Sequence, residues 1–83
     1  MGVFEKNVIK FIEDNIDRNN EIYVSTYLSK RIMDFNNFII YDGEQNIIGD
    51  TYIGNLLLKN KTIRVFYNIL YDYDDIEFKK NEG

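Results

Sequence analysis

The sequence contains no cysteine and no histidine. Without cysteine, neither a disulfide framework nor a thiolate metal site can form. Without histidine, the chain lacks the commonest metal ligand and the only side chain that titrates unperturbed near neutral pH. Ser-His-Asp and Cys-His catalysis, His-ligated zinc and histidine general-base chemistry are therefore excluded. Basic residues are also in short supply: 10 Lys and Arg stand against 14 Asp and Glu, a net charge of −4. That balance disfavours broad binding to phosphate backbones, which needs clustered cations, and favours a protein partner with a basic surface. No apolar run approaches the roughly 18–20 residues that cross a bilayer, so no membrane partner is expected. The N-terminus lacks a cationic stretch followed by an apolar one, as a signal peptide would have. Met1-Gly2 opens like a myristoylation motif, but Lys6 stands where Ser or Thr is required. The expected compartment is the cytoplasm of the producing cell or of an infected one, where Asn60-Lys61-Thr62 is a turn and not a glycosylation site. Alanine and proline are missing as well, while Ile, Asn, Tyr, Phe and Lys abound. Those five residues have AT-rich codons, which points to low-GC bacteria, their phages or large viruses.

At 83 residues the chain reads as one domain, 1–83, with 79–83 a frayed polar tail. A domain of this size buries only about 60% of its unfolded surface. It holds one layer of helix on one sheet, leaves little room for a deep active site, and gains from self-association.

Hydrophobic periodicity gives the elements. Phe4, Val8, Phe11, Ile12 and Ile16 share one helical face over 3–18, widened by Ile9. Asn19-Asn20 closes that helix. Residues 21–35 are ambiguous. Ile22 and Val24 alternate like a strand, and Ser25 then caps a short helix over 26–35 with Leu28, Ile32 and Phe35 inward. One strand over 21–29 is the rival reading. Residues 38–42 form a strand, Asp42-Gly43 a hairpin turn, 46–48 the start of the return strand, 51–59 the next strand, and Asn60-Lys61 a second turn. Thr62 to Tyr71 is a long strand that extends toward Phe78 in one version. The fold class is α+β: one or two N-terminal helices packed on a three- to four-stranded antiparallel sheet.

The most unusual segment is Tyr71-Asp72-Tyr73-Asp74-Asp75-Ile76-Glu77, four carboxylates and two tyrosines in seven residues. If extended, it places Asp72 and Asp74 on one face and Tyr71, Tyr73, Asp75 and Glu77 on the other. Together with Tyr67 these residues form a candidate partner-binding edge. Tyrosine supplies contact area at low entropic cost, and carboxylates select a basic partner and speed the encounter. The bland alternative is a charged strand that protects a sheet edge from aggregation. A third reading has the carboxylates imitating a phosphate row.

No metal site or cofactor is expected. Alternating carboxylates on a strand do not converge on one ion, and the loop beginning at Asp42 departs from the calcium-binding pattern at Ile47. Pairing Asp42, Glu44 and Asp50 for acid-base work is a weak signal among so many acids. The tyrosines could make a base-stacking face, but the sequence interleaves them with acids where such a face wants cations. Val24-Ser25-Thr26-Tyr27-Leu28-Ser29-Lys30-Arg31-Ile32 resembles the recognition helix of arabinose-regulator-type helix-turn-helix proteins over nine residues. That resemblance implies DNA reading through residues 25–33, with Lys30 and Arg31 as its cations. The expectation with most support is a non-enzymatic protein-binding module. It is similar in type to small phage inhibitors of host or CRISPR-like defence proteins, which act by steric and electrostatic occlusion. The alternatives are a self-associating structural protein (a homodimer) and a small DNA-binding regulator.

Overall fold

Ile22 and Val24 pack their strand between strand Lys61–Tyr67 and the edge strand Ile76–Lys79, inside the sheet. The computed structural model describes residues 3–43 and 49–80. In chain order the elements are α1 (Val3–Asn15), β1 (Glu21–Val24), α2 (Thr26–Ile32), β2 (Phe38–Ile40), β3 (Thr51–Leu58), β4 (Lys61–Tyr67) and β5 (Ile76–Lys79). The strands form one five-stranded sheet in the order β2-β3-β4-β1-β5. The α+β class is as expected, with three corrections. The sheet has five strands, it is mixed because β1 runs parallel to β4, and α2 lies between β1 and β2. All four residues of β1 are buried, including Glu21 and Tyr23. Ile22 and Val24 alternate with Glu21 and Tyr23 as expected of a strand, but burial extends to both sets. Parallel pairing with β4 is possible because α2, β2 and β3 form a long crossover between the two strands.

Ile22, Val24, Leu56, Leu58, Ile63 and Val65 point to one face of the sheet, where Ile12 of α1, Ile16 just beyond its end, and Leu28 and Ile32 of α2 cover them. Phe35 joins this core from the turn after α2, which ends three residues short of the expected 35. Phe11 is the exception on the expected face of α1. It is 48% exposed and leans on Phe78, its ring centroid 5.7 Å away. The α1 C-terminus has no basic residue of its own in its last turn. Lys61, at the start of β4, fills that role by donating its ammonium to the Ile16 and Asp17 carbonyls, a favourable place for a cation.

The turn expected at Asn60-Lys61 falls one residue earlier. Lys59 and Asn60 both have positive φ, 48° and 64°, and join β3 to β4 as a two-residue hairpin. Residues 44–48, which include the expected start of the return strand, lie outside the described residues. β3 carries a bulge between Tyr52 and Gly54. Gly54 has φ 149°, and a Cβ there would run into the Ile39 carbonyl oxygen and the Phe38 ring. The backbones of β2 and β3 approach too closely at this point for any side chain.

Among the described residues, no helix covers the other face of the sheet. Tyr41, Tyr52, Phe66 and Tyr23 form a row there, with successive ring centroids 4.9, 5.4 and 4.7 Å apart. Arg64 and Lys79 lie among the rings, with the Lys79 ammonium 4.2 Å from the Tyr23 centroid. Sequence order hides these cations because they arrive from β4 and β5. Both have protein partners: Arg64 pairs with the buried Glu21, and Lys79 covers Tyr23. The Tyr23 hydroxyl donates to Glu21 at 2.9 Å and that of Tyr52 to Asn55 at 2.6 Å, so neither is left simply to water.

The bulge supplies a test of the sheet. Gly54→Ala should destabilise the fold by about 2–3 kcal/mol, because both strain and a backbone clash are introduced. Urea unfolding monitored by circular dichroism measures this; an unchanged midpoint would contradict the close β2–β3 approach.

Candidate protein-binding surface

The acidic segment is a double turn and not a strand. β4 stops at Tyr67, and Asn68 diverts the chain. The Asn68 side chain accepts from the Leu70 amide at 2.9 Å and donates to Asp50 at 2.9 Å, while its carbonyl accepts from the Tyr71 amide at 3.1 Å. A second turn follows, in which the Asp75 amide donates to the Asp72 carbonyl at 3.0 Å and the Asp75 carboxylate accepts from the Asp72 amide at 3.0 Å. Asn and Asp side chains compete with the sheet ladder by bonding their own backbone, and here they win twice in eight residues. The chain re-enters the sheet at Ile76 as β5, antiparallel to β1. β5 includes Lys79, which the sequence pattern assigns to the tail; residues 81–83 lie outside the described residues.

Ser25 fixes this loop to the body of the domain. It is the single residue between β1 and α2 and is 1% exposed. Its Oγ accepts from the Leu28 amide at 3.1 Å, the N-cap bond expected from the sequence, and donates to the Tyr73 carbonyl at 2.6 Å. Its amide donates to the Asp75 carbonyl at 3.3 Å. The Tyr73 ring then stacks on Tyr27 of α2, centroids 4.5 Å apart.

This geometry separates the seven residues singled out in the sequence. Tyr67 is half-buried and packs against the core. Tyr71 is half-buried and donates its hydroxyl to Glu77 at 3.0 Å. Glu77 lies on the helix-free face opposite Tyr23, and the Asp75 carboxylate is engaged inside its turn. The extended arrangement with Asp72 and Asp74 on one strand face does not occur. Asp72, Tyr73 and Asp74 are exposed at the loop tip, and neither the Asp72 nor the Asp74 side chain has a hydrogen bond or ion pair among the described residues.

The structure adds apolar surface that the sequence pattern conceals. Ile69 and Leu70 are 72% and 82% exposed, beside Tyr73 at 65%. They look like strand residues because they continue the apolar run of β4, and only the Asn68 turn lifts them out. On the helical side, a groove of about 290 Å³ runs between α1 and the loop, lined by Asn7, Val8, Phe11, Leu28, Asp74 and Ile76. Among the described residues no cluster of acids forms a metal-ion site. In the segment resembling a recognition helix, Arg31 is held at 3.9 Å over the Phe4 ring and bonds the Tyr27 hydroxyl, while Lys30 has no such contact among the described residues. No helix among the described residues is long and apolar enough to cross a membrane. No protein-family model, curated protein or solved structure matches this chain.

Partial burial and the Glu77 hydrogen bond and charge push the Tyr71 phenol up to about 12. Burial and the Glu21 carboxylate do the same to Tyr23, also to about 12. A phenol pKa raised on folding means stability that is intact below the ordinary value of about 10 and is lost as pH climbs through about 12. Ultraviolet titration should therefore show late-ionising phenols, one lost with Tyr23→Phe and one with Tyr71→Phe. Loss of neither late step would contradict the Glu21 and Glu77 hydrogen bonds.

Proposed function

We propose that the chain is a non-enzymatic protein-binding module that presents the loop 68–75 to a basic partner protein. One observation carries this reading: an ordered loop exposes large apolar side chains and unpaired carboxylates side by side. Ile69, Leu70 and Tyr73 contribute nothing to the domain's own core, yet the loop that holds them is fastened by hydrogen bonds through Asn68, Asp75 and Ser25. Apolar area surrounded by like charge is the composition of a binding patch, in which aromatic and aliphatic anchors supply affinity and the rim charges supply steering and selectivity. Preordering of the loop lowers the entropic cost of docking. Occlusion of a basic groove on a host or defence protein, in the cytoplasm of the producing or infected cell, is the mode of action this surface suits.

The reading is tested by capture of a partner on the tagged chain at low and moderate salt, followed by binding kinetics with variants. Asp72→Asn with Asp74→Asn should slow association roughly three- to tenfold and flatten its salt dependence. Leu70→Ser should speed dissociation instead. A stoichiometric partner indifferent to all three changes would overturn the assignment of this loop.

A further inference from the structure

The two edges of the sheet are built differently. β5 carries Glu77 and Lys79, with Lys80 following, and such charges discourage strand addition. β2 reads Phe38-Ile39-Ile40, continues into Tyr41, and has no charge until Asp42. Ile39 and Ile40 are 57% and 59% exposed and Tyr41 43%. Hydrogen bonds from the Tyr41 amide to Ile53 and from the Leu57 amide to the Asn37 carbonyl, each 2.9 Å, direct the backbone groups of residues 37, 39 and 41 at β3. By the alternation of an antiparallel ladder, those of Phe38 and Ile40 point away from the sheet. The Phe38 amide is already used, donating to the Phe35 carbonyl at 3.3 Å. Among the described residues, the groups left unpaired at the edge are the Phe38 carbonyl and both groups of Ile40.

We propose that β2 pairs antiparallel with β2 of a second copy of this chain, Ile40 opposite Ile40 across a two-fold axis. This register uses what the edge offers. The two Ile40 residues exchange both hydrogen bonds, and the alternative centred on Ile39 would need the Phe38 amide that Phe35 already holds. It also sets Ile39 of each copy against Tyr41 of the other on the helix-free face, a β-branched–aromatic pair of the kind that stabilises sheets. Ile40 meets its own copy on the helical side, next to a groove of about 310 Å³ lined in part by Met33, Thr51 and Ile53. Thr51 is buried there, and its hydroxyl has no hydrogen-bond partner among the described residues. Charge does not oppose the pairing. The carboxylates of the acidic loop lie next to β5, four strand spacings away, roughly 19 Å, well beyond the screening length of about 8 Å at physiological salt. The product is a continuous sheet of two copies with the loops 68–75 at its two ends, which leaves the partner-binding surface free.

Sedimentation equilibrium across a concentration series tests this. The wild-type mass should rise toward twice 9.9 kDa. Ile40→Pro removes one outward amide per copy without touching a bond to β3, a substitution edge strands tolerate. It should raise the dimer dissociation constant roughly 100-fold while circular dichroism stays that of the folded domain. Ile40→Lys, placed where the side chain is exposed, should do the same and decides the matter if the proline variant fails to fold. A wild-type chain that stays monomeric throughout, or a dimer that both folded variants retain, would overturn the proposal.

Discussion

Much of this molecule hangs on one serine hydroxyl. The Ser25 Oγ accepts the N-cap bond that starts α2 and donates the bond that holds Tyr73, and the same residue's amide holds Asp75. An N-cap contributes about 1 kcal/mol, and a buried hydroxyl bonded on both sides leaves two unsatisfied groups behind if it is removed. A strand end, a helix start and a distant acidic loop therefore share a single buried atom. The Asn68 and Asp75 turns shape loop 68–75 from within, and the Ser25 bonds fasten it to the body of the domain.

The sheet places function at its margins. Its centre is β4, antiparallel to β3 and parallel to β1, with both helices on one face. The helix-free face is closed by its own side chains: Glu21 is neutralised by Arg64, and Lys79 lies over Tyr23. The aromatic row there is consequently a stabilising layer, its cations already taken. What remains open is the acidic loop beyond one edge and the uncharged strand at the other, and these two surfaces suit different partners.

Local patterns with a strong period were legible in the sequence. The helical face of α1, the cap at Ser25, the inward Leu28, Ile32 and Phe35, and the β-branched runs of β3 and β4 all read correctly to within a few residues. The errors lie where a non-local partner or a side chain–backbone bond overrides the pattern. The short strand at Ile22 and Val24 is legible, but its parallel pairing with β4 is not, because the partner lies some forty residues away. The apolar run from Thr62 to Tyr71 conceals a break, since nothing in its periodicity announces that the Asn68 side chain will capture the Leu70 amide. For the same reason the candidate residues were found by composition, but their arrangement was not. Asp72 and Asp74 share the loop tip, while Tyr67 and Glu77 belong to the sheet. Phe11 shows the converse: its spacing puts it in the core, and the structure spends it on the groove wall.

The central claim is that the acidic loop is an ordered surface anchored at Ser25, and amide hydrogen exchange tests it most directly. In the wild-type chain the Tyr71, Asp72 and Asp75 amides should be protected, and Ser25→Ala should release them while the amides between β1 and β4 keep their protection. Free exchange of those three amides in the wild type, or protection unchanged by Ser25→Ala, would contradict the account.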